Sequence, residues 1–259
     1  MTPPPSSSLP VLQGSPCMRI WDIHPGYLNR QSLLGEHREL HGLLSILTNG
    51  KKGYSRHPET LRWVGRERAL ARRHILLARE MELRGFTDRT PVLLRDGEEH
   101  WPETYVDSPA RQFTLLADKY AGREQGRILL PRSVQQLWSH HKYSVLARDP
   151  EMYRSVGRQA AAGKSSFADL AAMLAEKLRT PPSPGGIRNA VQHMWGHVSG
   201  FPPSESVDGW PMHDLLCETQ KRARMHGEAY LLSSTALSEL SAWLPACPAG
   251  SGKPVLAGN

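Results

Sequence analysis

The 259-residue chain holds only three cysteines, Cys17, Cys217 and Cys247. They show no close ligand spacing and leave one odd, which points to a reducing compartment rather than a disulfide framework. No apolar run approaches the roughly 20 residues needed to span a bilayer. Residues 1–17 have neither a basic leading region nor a long apolar core, so they do not read as a signal peptide. Alternating strand patterns and internal repeats are lacking. So are Gly-rich phosphate loops: Gly163-Lys164 has no upstream strand or glycine to make it one. What remains is a helical chain without a nucleotide-binding fingerprint, expected in the cytoplasm and not at a membrane.

Positive charge is present, and it is uneven. Between Met18 and Thr90 lie fourteen Lys and Arg against eight Asp and Glu, which is +6 of the whole chain's +7. A basic, helix-forming segment is the electrostatic footprint of a nucleic-acid binder. A solvated basic surface is the plainer alternative. The rest of the chain is nearly neutral and must meet its partners differently.

Hydrophobic spacing divides the chain. Residues 1–17 are rich in Pro and Ser and bury too little apolar surface to repay ordering, so they read as a disordered extension. Residues 18–90 form a first helical unit. An irregular arm, Trp21 to Leu28, leads into a helix from near Asn29 to Asn49-Gly50, with Leu33, Leu34, His37, Leu40, Leu44 and Leu47 at helical spacing. A basic loop, Lys51 to His57, precedes a long helix from Pro58 to Arg84, with Leu61 among its apolar positions and Gly85 as its stop. Residues 91–108 read as a charged, Pro-containing linker. Residues 109–244 form a second helical unit, with helices opening at Pro109, Pro131, Pro150, Ser166, Ile187, Met212 and Thr235, and 245–259 form a flexible tail. The fold class is all-α in two helical units.

Three stretches carry a resemblance. Met18-Arg19-Ile20-Trp21-Asp22-Ile23-His24-Pro25-Gly26-Tyr27-Leu28, then Glu36-His37-Arg38-Glu39-Leu40, then Arg84-Gly85-Phe86 resemble the endonuclease V-like pyrimidine-dimer DNA glycosylase family. The resemblance implies an all-helical repair enzyme that excises a damaged base and cuts the strand by β-elimination. The nucleophile would be the chain's own α-amino group, forming an imine at the sugar C1′. On this likeness Met18 falls on the amine position, Glu39 on the supporting carboxylate, and Arg19 and Arg38 on arginines that hold DNA. His24 joins them as a candidate active-site residue, and Lys51, Lys52, Arg56, His57, Arg72 and Arg73 as further DNA contacts. The alternatives are a helix cap for His24 and His57, and for Glu39 an ordinary helix-surface partner of a neighbouring base. Because residues 1–17 precede Met18, the implied chemistry expects translation to start at Met18 or the extension to be removed. Physically, an α-amino group titrates near 8 and so supplies neutral amine at pH 7 without strong tuning.

In the second unit, Leu137-Trp138-Ser139-His140-His141-Lys142-Tyr143, then Met152-Tyr153-Arg154-Ser155-Val156-Gly157-Arg158, then Asn189 to His197 resemble the YbgA-like helical domain. That likeness implies an all-α fold and leaves the domain's ligand or partner open. His193 and His197 share a helix face, but no third ligand has confirming spacing and no Glu follows His193, so no metal and no cofactor are expected. The reading is a DNA-repair glycosylase with AP-lyase activity on damaged duplex DNA. A non-catalytic nucleic-acid binder with a partner- or ligand-binding helical domain is the alternative. A third reading makes the second domain the enzyme and the first its targeting unit.

Overall fold

The computed structural model describes residues 18–94, 97–202 and 206–244. The expected extension 1–17 and tail 245–259 lie outside the described residues, which form helices, turns and loops and no strand.

The arm enters through a short 3-10 turn, Pro25–Tyr27. Helix α1, Arg30–Asn49, starts where the Asn29 side chain accepts the Ser32 N–H at 2.9 Å, and ends at Gly50, whose φ of 61° only glycine adopts cheaply. Helix α2, Pro58–Arg62, and helix α3, Glu67–Leu83, replace the single long helix expected from Pro58 to Arg84. The chain breaks because Trp63 turns inward, its indole N–H donating to Glu59 at 2.9 Å, and Gly65 takes a φ of 70°. Leu61, expected on the apolar face, is exposed as a result. Gly85 stops α3 as expected, at φ 82°.

Further along, α4 (Pro109–Lys119), α5 (Val134–Leu146), α6 (Pro150–Ala161), α7 (Phe167–Arg179) and α8 (Pro184–Trp195) follow. Their caps are Ser108, Ser133, Asp149, Ser166 and Ser183, each accepting an N–H of the first turn. Cap chemistry outranks proline here. α5 opens at Ser133 and not at Pro131, and α8 opens at Ser183-Pro184 ahead of the expected Ile187. α9 (Met212–Met225) and α10 (Ala229–Leu232) divide a stretch expected as one helix, because Gly227 turns at φ 63°. α11 (Ala236–Glu239) passes into a 3-10 turn at Leu240–Ala242.

α1 packs on α3, burying Leu33, Leu40 and Leu43 against Leu70, Leu77 and Met81. The same apolar cluster takes in Phe113, Leu116, Leu137 and Leu174 from the later helices. A second cluster, around Ile187, Met194, Leu216 and Leu237, reaches back to Leu83. Two buried carboxylates reinforce this packing. Asp22 accepts from Arg62 at 3.0 Å, Arg179 at 2.9 Å and Gln112 at 2.9 Å. Glu80 accepts from Arg84, Arg127 and Ser238. Residues 97–108, in the stretch expected as a linker, lie against these helices: Glu99 pairs with Arg72 at 3.0 Å and the Trp101 ring centre is 6.0 Å from that of Trp63.

Candidate active site

Glu36 and Glu39 are three apart on α1, so they stand on neighbouring positions of one helical turn. Arg19 and Trp21 are two apart in the extended arm. The two spacings mesh: the Trp21 N–H donates to Glu36 at 3.1 Å and the Arg19 N–H to Glu39 at 2.7 Å. The arm is thereby held along α1, and Met18 is held one residue from the Glu39 carboxylate.

The two carboxylates differ in setting. Glu36 is buried and receives both Nε and Nη2 of Arg73, at 2.7 and 2.9 Å. Burial pushes its carboxyl up to about 7, against the pull of Arg73. Glu39 is half-buried. Burial raises its carboxyl above the usual carboxylate range, partly offset by the Arg19 N–H. A half-buried carboxyl shifted toward neutrality, beside an extended arm, can both give and take a proton.

The expected DNA-contacting cations fall into two groups. Arg38, Lys51, Lys52 and Arg56 are exposed and form no salt bridge among the described residues. Arg38 lies on α1 next to Glu39 in sequence, and its Nε donates to the Leu34 carbonyl at 3.2 Å. Arg19 is half-buried, paired to Asp107 at 2.6 Å and stacked on Trp21. Arg72 and Arg73, also expected to contact DNA, are paired within the chain. Arg73 is 3% exposed and also donates to the Ile23 carbonyl. Arg72 is held by Glu99, by the Ala242 carbonyl at 2.7 Å and by the Trp243 ring. The physical reason is that α3 packs on three sides, so arginines at several phases of the helix meet carboxylates and carbonyls of the packed chain.

The two candidate histidines act as caps. His24 is buried, and its Nδ1 accepts the Gly26 N–H at 2.9 Å. Burial and nearby cations hold its imidazole well below the usual histidine range. His24, expected as a candidate active-site residue, is thus placed as the cap of the 3-10 turn. His57 caps α2 through the Glu59 N–H at 3.1 Å while staying partly exposed in the basic loop. In that loop the sequence reading missed Tyr54, which is 63% exposed at a φ of 55°. Its signal was an aromatic inside a basic loop.

His193 and His197 do not converge on a ligand. His193 stacks on Tyr143, and His197 Nε2 lies 2.8 Å from the Tyr143 hydroxyl. Other histidines do converge: His37, His41, His74 and Asp88 place their ligand atoms within 4.8 Å of one another. The expectation of no metal-ligating group missed this set because its members come from α1, α3 and the following loop. Its legible signal was His37 and His41, four apart on one face.

This geometry defines a helical protein in which a basic segment carries a carboxylate beside an extended arm. Residues 18–94 match the family model described as pyrimidine dimer DNA glycosylase. Residues 142–205 match that of a protein of unknown function (DUF1722), the YbgA-like domain family. The two segments singled out in the sequence thus carry the likenesses expected of them, and the first is similar to a DNA-repair glycosylase domain. No curated protein and no solved structure matches the chain. No helix among the described residues is long and apolar enough to cross a membrane.

Proposed function

We propose that the chain is a DNA-repair glycosylase with AP-lyase activity on damaged duplex DNA, working from the Met18 end of the arm. The observation that carries this reading is the 2.7 Å hydrogen bond from the Arg19 N–H to Glu39. It sets the residue on which the family amine falls beside the residue on which the family carboxylate falls.

In this mechanism the neutral Met18 amine attacks the sugar C1′, and the glycosidic bond breaks with its electron pair leaving on the base. Loss of a proton from nitrogen gives the N-linked sugar, and the C1′–O4′ bond then breaks, its electron pair and a proton going to O4′, to open the ring as the imine. Glu39 steadies the positive charge that develops on the sugar as the base leaves, then takes the C2′ proton as the 3′ phosphate leaves, and water later releases the amine. Selectivity follows from cost: a damaged pair is weakened, so deforming the duplex there costs less than at an intact pair. The exposed Arg38, Lys51, Lys52 and Arg56 meet the phosphate backbone. Tyr54 offers an exposed ring on which an unstacked base can rest.

The route needs a free amine on Met18, which is an amide in the 259-residue chain. Two proteins therefore test it: the full chain and one beginning at Met18. Borohydride should trap only the second on an abasic duplex, and peptide mapping should place the crosslink at its N-terminus. A crosslink on a lysine, or none with either protein, would overturn the mechanism.

A further inference from the structure

We propose that His37, His41, His74 and Asp88 bind one divalent transition-metal ion, with zinc favoured by the shape of the set. This site is distinct from the proposed active site. On α1, positions 37 and 41 lie roughly 160° or more around the helix from position 39, at about 100° per residue. The site would be unaffected if the glycosylase reading failed.

Distances come first. His74 Nε2 lies 3.1 Å from His37 Nε2 and 3.1 Å from His41 Nε2. Asp88 carboxylate oxygens lie 3.3 Å from His37 Nε2 and 3.7 Å from His74 Nε2. Four ligands at 2.0–2.1 Å from a tetrahedral ion stand about 3.3–3.4 Å apart. Four of the six ligand-to-ligand separations are thus close to the edges of such a tetrahedron, and all four groups lie within 4.8 Å of one another. His74 and His37 are buried, while His41 and Asp88 are partly exposed, so an ion has a way in from one side.

Hydrogen placement is the second argument. Each neutral imidazole Nε2 carries either one hydrogen or one lone pair. If His74 carries the hydrogen, it suits His37 and His41 only when both present lone pairs, and the His37 lone pair then faces the Asp88 carboxylate. If His74 presents the lone pair, that lone pair itself faces Asp88. Both cases turn a lone pair toward an Asp88 oxygen, at 3.3 or 3.7 Å. A cation at the centre meets all four groups favourably. Three imidazoles and a carboxylate are donors that suit zinc.

Four protein ligands close the shell, and a closed shell is a structural site. The ion would tie α1, α3 and the loop after Gly85 together, on the side of α1 turned away from Glu39. Its binding would add to the stability of the folded chain by mass action.

The test uses the full chain. Elemental analysis of the purified protein should find about one zinc per chain. After chelation, Co(II) should restore one equivalent with the intense visible absorption of a tetrahedral site, and chelation should lower the melting temperature. His74→Gln should lose both the bound equivalent and the Co(II) absorption, and His41→Gln, at the exposed edge, should do so with folding intact by circular dichroism. His213→Ala, a control for adventitious surface binding, should keep both. A folded wild-type protein that takes up neither zinc nor Co(II) would overturn the proposal. So would a bound equivalent that survives both His74→Gln and His41→Gln.

Discussion

Arg127 lays its guanidinium against Glu80 in a two-point pair, Nε at 2.8 Å and Nη2 at 2.7 Å, joining residues 47 apart in sequence. The pair does more than cancel two charges. Glu80 also receives Arg84, whose Nη1 donates to the Leu28 carbonyl at 2.7 Å, and the Ser238 hydroxyl at 2.6 Å. Arg127 reaches on to the Leu232 carbonyl at 2.6 Å. One buried carboxylate therefore ties the arm, α3 and the last helices together. Burial alone would raise its carboxyl, but Arg127 and then Arg84 hold it well below the usual carboxylate range.

Glu80→Gln should destabilise the chain strongly, by about 3–5 kcal/mol at pH 7, because two guanidiniums lose their buried counter-charge. The pH dependence follows from the lowered carboxyl. The folded state prefers the ionised form, so the contribution of Glu80 is fully present above its unfolded pKa near 4.3 and shrinks as pH falls below that. Urea denaturation at pH 7 and at pH 3.5 should show a gap between wild type and variant that narrows in acid. An equal gap at both values would show that the charge is not what matters.

Glu39→Gln should abolish base excision in protein beginning at Met18 while leaving duplex affinity nearly unchanged. The amide oxygen can still accept the Arg19 N–H, so the arm stays in place and only the proton-transferring charge is lost. Single-turnover cleavage and a parallel binding titration check this. Cleavage at the wild-type rate would remove Glu39 from the chemistry.

Lys51→Ala, Lys52→Ala and Arg56→Ala should each lower the slope of log affinity against log salt by up to about 0.9, the value for one neutralised phosphate. Tyr54→Ala should weaken binding by about 1–3 kcal/mol with little change in that slope, as loss of a stacked base would. Arg73→Ala should instead lower stability through the Glu36 pair. Titrations of a fluorescent duplex at several salt concentrations, with melting curves alongside, separate these outcomes.

Gly186→Ala should cost about 1–3 kcal/mol, as overpacking does. Gly186 lies in the first turn of α8, and a Cβ there would run into the Ala147 carbonyl oxygen at the end of α5. Gly185→Ala, where a Cβ meets nothing within 4 Å, is the matched control. Equal melting temperatures for the two variants would show that α8 shifts freely on α5.

By itself the sequence determined the helical class, the helix starts marked by Asn29, Ser108, Asp149 and Ser166, and the stops at Gly50 and Gly85, because caps and left-handed glycines act within one turn of chain. It also carried the two family likenesses and the basic segment, since both are written in local order and composition. Tertiary structure decided which charges remain for a partner. Arg38, Lys51, Lys52 and Arg56 stay in water, whereas Arg72 and Arg73 meet Glu99 and Glu36 from 27 and 37 residues away. Helical phase alone cannot separate these groups, because pairing depends on which carboxylate the fold delivers. It decided the roles of His24 and His57 as caps by placing a backbone N–H within reach of each ring. It broke the helix after Arg62 by drawing Trp63 into the core. And it brought His74 and Asp88 onto the His37–His41 face of α1, a convergence of three segments that no local spacing encodes.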